Sequence, residues 1–82
     1  MYHVYILRSL RKGIVYVGTT RAMERRLRYH NAGYGRSTAP YRPWELVHVE
    51  SYETLAEARK REWYLKCTSA GGREKRALAA GG

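Results

Sequence analysis

The sequence predicts a small α/β (α+β) domain, a three-stranded, mainly antiparallel sheet flanked by helices. Three observations carry this expectation. A chain of 82 residues has room for one core. Two β-branched and aromatic runs separated by a basic, glycine-containing turn open it as a hairpin. A capping box then starts a helix after a third strand. The domain is expected to span residues 1–82, with no repeat or linker.

Residues 2–7, YHVYIL, are apolar on both faces, and residues 14–17 repeat that character after Ser9-Leu10-Arg11-Lys12-Gly13. With the turn centred between Leu10 and Arg11, Tyr5 stands opposite Tyr16 and both rings share a face, whereas a one-residue slip would part them. Gly18-Thr19-Thr20 breaks the strand and offers an N-cap to a helix over residues 22–30, which stops at Asn31-Ala32-Gly33. Its apolar stripe is Met23, Leu27 and His30, and Arg26 lies four residues before His30 on the same edge.

Residues 34–43, YGRSTAPYRP, carry turn and basic residues without a period and form a loop in which no catalytic group is expected. Residues 44–52 make the third strand, and the capping box Thr54-Leu55-Ala56-Glu57 opens a helix to about Cys67. Leu55, Ala58, Glu62 and Leu65 follow at steps of three, four and three, which puts a carboxylate in the middle of the inward stripe. Gly71-Gly72 then breaks the chain before a last helix over residues 73–80, anchored by Leu78.

Sixteen Lys and Arg against seven acids give a net charge of +9, the footprint of a folded basic protein whose partners are polyanions. Every acid is glutamate, so sites built on clustered aspartates are excluded. One cysteine, Cys67, forms neither an internal disulfide nor a Cys-rich zinc site and points to a reducing, cytoplasmic location. The apolar runs are far too short to span a membrane, and Met1-Tyr2-His3 leads straight into a strand without a signal peptide.

Five residues from separate elements could converge on one side of the sheet: Tyr5, Tyr16, Arg26, His30 and Glu62. Each also has a structural explanation. The tyrosines suit cross-strand packing, His30 a satisfied core position, and Arg26 a solvated basic helix. Glu62 needs a partner, either an arginine such as Arg26 or a hard cation. His3, His30 and His48 match no familiar zinc spacing. Phosphodiester cleavage asks for a base to deprotonate water, a divalent cation and a cationic side chain for the extra charge, and a tyrosine, Glu62 and Arg26 could supply these.

The spacing is also recognisable. His3-Val4-Tyr5, ten residues, then Tyr16-Val17-Gly18 resembles the paired motif of the GIY-YIG nuclease superfamily, and Arg26, His30 and Glu62 follow in the family's order. The likeness is to the small standalone YhbQ-like or UPF0213 group and to the N-terminal nuclease domain of UvrC. It implies a GIY-YIG endonuclease fold and hydrolysis of DNA, in repair or processing, with one Mg2+ or Mn2+ ion.

Carried over by residue, Tyr16 or Tyr5 is the general base and the other tyrosine positions water or phosphate. Glu62 holds the metal, Arg26 stabilises the phosphorane, and His30 binds phosphate or assists tyrosine deprotonation. Two departures stand out: His3 replaces a frequent glycine, and no asparagine follows Asn31, so the role of a late asparagine is vacant or filled by another group. The alternative expectation is a module that binds nucleic acid on this fold without cutting it. A homodimer or protein partner has no identifying segment.

Overall fold

In the computed structural model, which describes residues 1–81, β1 (Tyr2–Ser9) and β2 (Val15–Thr20) lead into α1 (Met23–Ala32). A 3-10 turn (Ala39–Tyr41), β3 (Trp44–Tyr52), α2 (Leu55–Cys67) and α3 (Ser69–Gly81) follow. The sheet is three-stranded and antiparallel, as the sequence predicts, and its order is β2-β1-β3. Continuous apolar character makes β1 the central strand, because Val4, Tyr5, Ile6 and Leu7 are all buried and need cover on both faces. Val4 and Ile6 pack with Val17, Ala58, Leu65 and Ala79 beneath α2 and α3. Tyr5, Leu7 and Trp44 pack on the opposite face with Tyr16, Met23 and Leu27 of the α1 side.

The hairpin is centred one residue later than expected. Tyr5 pairs with Gly18 and Leu7 with Tyr16, in place of Tyr5 with Tyr16. The buried Ser9 hydroxyl is the cause: it accepts the amides of Arg11 and Lys12, which curls residues 10–13 into the turn, with Gly13 left-handed at φ 70°. Moving the centre by one residue moves each pairing by two, so both tyrosines keep the same face.

Residues 18–20 also continue β2 rather than break it, since Thr19 and Thr20 are β-branched and pair with Val4 and His3. They do not cap α1: its N-cap position is Ala22, without a side-chain cap, and Thr20 Oγ1 accepts the Ala22 amide at 3.2 Å and donates to the Ala22 carbonyl at 3.5 Å. Gly33, left-handed at φ 89°, ends α1 at the expected place.

The capping box of Thr54 and Glu57 is present in both directions, and α2 ends at Cys67 as read. Gly71-Gly72 does not interrupt the last helix. Thr68, extended at φ −115° and ψ 152°, makes the break, and its hydroxyl oxygen accepts the Gly71 amide at 2.9 Å. Gly71 lies against the Tyr64 carbonyl where a Cβ would collide, so this glycine serves close helix packing inside α3. Ala79 is buried there, with Leu78 half-buried beside it. Leu55, expected inward, is 39% exposed.

A polar network ties β3, α2 and α3 together. Arg61 donates to both Glu50 oxygens at 2.9 and 3.0 Å and also holds Glu74, while Tyr52 and His48 bond Glu50 at 2.6 and 2.8 Å. The Arg61 guanidinium, against the opposing effect of burial, pulls the Glu50 carboxyl from its ordinary 4.5 down to about 2. A depressed carboxylate stabilises the fold fully above 4.5 and loses that contribution as pH falls through about 2. Glu50→Gln is therefore expected to flatten the acid limb of a melting-temperature profile across that window, while leaving the pH 7 to 9 dependence unchanged.

Candidate active site

Gly18 faces Tyr5 across the hairpin, and a Cβ there would collide with the Tyr5 hydroxyl. The bare glycine thus lets the Tyr5 ring reach across β2 to the free edge of the sheet. An open cleft of about 450 Å³ lies at that edge. Tyr5, Tyr16 and Arg26 enter it from the α1 face and Thr19 and Glu62 from the α2 face, because alternate strand residues point to opposite sides.

Tyr5 is fully buried and its hydroxyl is 2.9 Å from His30 Nε2. Burial pushes the Tyr5 phenol up to about 12, with the neighbouring Arg26 charge acting in the opposite sense. His30 is itself 2% exposed and lies outside the cleft, behind Tyr5. Burial and then the Arg26 charge lower its pKa, so the imidazole is neutral at pH 7. Its Nδ1 meets Thr38 Oγ1 at 2.9 Å. Of the two roles expected for His30, phosphate binding or assistance to a tyrosine, its place between Tyr5 and Thr38 and outside the cleft lining is the geometry of the second. Tyr16, partly exposed, has its ring 6.3 Å from Tyr5 and edge-on to His30 at 5.1 Å.

The Arg26 guanidinium stacks on Tyr29 with 4.5 Å to the ring centroid. Its Nε is buried and, among the described residues, has no hydrogen-bond partner. An unpaired buried guanidinium N–H costs free energy. Glu62 accepts from Thr19 Oγ1 at 2.6 Å and from Lys66 Nζ at 2.8 Å. Burial alone would raise its carboxyl, but the Lys66 ammonium and Thr19 hydroxyl outweigh burial and leave it lowered, hence ionised at neutral pH. Its partner is a lysine one turn on, not an arginine.

Arg59, Trp63 and Lys66 also line the cleft. They were absent from the expected site although they follow a helical rule: positions 59, 62, 63 and 66 are steps of three, one and three and form one face of α2. The histidines do not meet, since His3 bonds Ser51 and His48 bonds Glu50. Among the described residues no three His, Cys, Asp or Glu side chains cluster for a metal. No helix among them is long and apolar enough to cross a membrane.

Residues 1–75 match the GIY-YIG catalytic domain family. The chain belongs to the GIY-YIG family. A UPF0213 protein of Halobacterium salinarum is 39% identical over 67 residues, covering 80% of this chain and 86% of the relative. One of Clostridium perfringens, also 39% identical, covers 80% and 71%. The solution NMR structure of a UPF0213 protein from Bacillus halodurans matches the fold with TM-score 0.57 at 31% identity, over 100% of this chain and 88% of that one. GIY-YIG domains are nuclease domains, which implies a nucleic-acid substrate.

Proposed function

We propose that this GIY-YIG protein is a divalent-metal-dependent endonuclease that hydrolyses phosphodiester bonds in DNA. The observation that carries the reading is one cleft holding a tyrosine hydroxyl backed by a neutral imidazole, an arginine guanidinium and an ionised carboxylate. A role in DNA repair or processing rests on the family alone, and a cytoplasmic location on the single cysteine.

The donor set fits a hydrated hard cation. Among the described residues Glu62 is the one carboxylate lining the cleft, and Mg2+ is commonly held by one or two carboxylates, waters and substrate phosphate. Thr19 fixes the angle of that carboxylate, and each oxygen keeps a further lone pair beyond its present bond. A bound Mg2+ or Mn2+ would polarise the scissile phosphate. Tyr5 takes the proton of the attacking water as it passes its own to His30 Nε2. Arg26, on the cleft wall, places its guanidinium charge on the phosphoryl oxygen where charge accumulates. Tyr16, at the cleft wall, orients water or phosphate. Trp63, 59% exposed, offers a face on which a base can stack.

The test is cleavage of end-labelled single- and double-stranded DNA in Mg2+, Mn2+ or EDTA. Cutting that requires metal supports the endonuclease; salt-sensitive binding without cutting on any substrate favours the binding module. If Arg26, Arg59 and Lys66 each neutralise one phosphate, duplex affinity should fall roughly 40-fold between about 0.05 and 0.2 M salt. A flat salt titration would remove the cleft from nucleic-acid binding.

A further inference from the structure

Thr38 lies in the aperiodic segment 34–43, yet it is 1% exposed. Hydrogen bonds from both its backbone and its side chain pin it. The Trp44 indole donates to its carbonyl at 3.0 Å, its own amide donates to Gly35 O at 3.3 Å, and its hydroxyl meets His30 Nδ1 at 2.9 Å. Asn31, next to His30 on α1, grips the Trp44 backbone through both its amide atoms, at 2.6 and 3.1 Å. A Cβ on Gly35 would sit 2.6 Å from Thr38 Oγ1, so the glycine makes room for the hydroxyl. The loop is therefore fastened to the back of the Tyr5–His30 pair.

A neutral imidazole has one N–H, and which nitrogen carries it decides what Tyr5 can do. Thr38 Oγ1 has the Gly35 carbonyl at 3.4 Å as an acceptor for its single proton, which leaves its lone pairs to His30 Nδ1–H. Nε2 is then a lone pair facing the Tyr5 oxygen. The Arg26 charge beside Tyr5 favours the same arrangement, drawing the phenol lone pairs toward itself and turning the O–H to His30. In the opposite tautomer Nε2–H would point at Tyr5 and the phenol would have no base.

We propose that Thr38 is a positioning residue that holds His30 in the Nδ1–H tautomer, keeping Nε2 free to receive the Tyr5 proton. The inference rests on Tyr5 as the proton acceptor of the proposed nuclease reaction. Thr38→Ser and Thr38→Ala differ only in the hydroxyl oxygen, and Thr38→Val refills the volume while excluding water. Long-range 1H–15N spectra of histidine-labelled protein read the tautomer directly, and melting temperature checks folding.

Wild type and Thr38→Ser should show Nδ1 protonated and Nε2 as a bare acceptor. Thr38→Ala and Thr38→Val should shift population to Nε2–H and cut DNA about 10- to 100-fold more slowly, the scale of losing an orienting partner. A Thr38→Ala or Thr38→Val spectrum that keeps the wild-type tautomer overturns the proposal, as does a changed tautomer with an unchanged rate. Wild-type protein that cuts no DNA overturns the catalytic reading instead, and the spectrum still decides whether Thr38 sets the tautomer.

Discussion

Glu62→Ala is expected to slow metal-dependent cleavage on the order of 10³-fold or more, because it removes the only carboxylate that the described residues bring to the cleft and with it several kcal/mol of metal-derived charge stabilisation. The fold should tolerate the change. Glu62 is partly exposed, its partner Lys66 reaches solvent, and such pairs contribute about 1 kcal/mol or less. Binding in EDTA should hold or tighten, since the substitution takes an anion out of the path of a polyanion and frees the Lys66 ammonium. Single-turnover cleavage, filter binding and melting temperature separate these effects. If Glu62→Ala loses folding and binding together, Glu62 is structural, and its bond to Thr19 is a strand-to-helix tie.

The site and the fold were legible in the sequence wherever local chemistry decides. Thr54 and Glu57 cap α2 through bonds within one turn, and β3 spans the predicted residues because its boundaries are set by Pro43 before it and the capping box after it. The same holds for Glu62, whose place in the inward stripe follows from helical period alone. What was missed depends on partners far along the chain. Ser9 bonding into its own turn moved the hairpin centre, contact with Tyr64 turned Gly71 from a helix breaker into a packing residue, and burial brought Thr38 against His30. Arg59, Trp63 and Lys66 are a different case: their spacing from Glu62 was visible, but only the cleft at the β2 edge shows that this helix face meets Tyr5 and Arg26.

Tyr5 and Tyr16 looked equivalent as sequence, and their surroundings make opposite demands on a Phe substitution. Tyr5→Phe leaves His30 Nε2 buried without a partner, at a cost of about 1 to 3 kcal/mol in stability, and removes the proposed proton path, at about 10²- to 10⁴-fold in rate. Tyr16→Phe leaves no buried nitrogen unpaired, and its effect should be about tenfold or less, through positioning alone.

The pH profile discriminates further. A phenol held near 12 that worked only as free phenolate would give a rate rising about tenfold per pH unit through neutrality. A phenol that hands its proton to His30 works while that imidazole is neutral. Because the His30 pKa is lowered from 6.5, by burial and then by Arg26, the protonated form that blocks Nε2 accumulates only below pH 6.5. Wild-type single-turnover cleavage, with metal kept saturating, is therefore expected to be level from about pH 7 to 9 and to fall only on the acid side of 6.5. A log-linear rise across pH 7 to 9 that survives in Tyr16→Phe would assign the reaction to Tyr5 phenolate and remove His30 from the proton path; a rise lost in Tyr16→Phe would move the base to Tyr16.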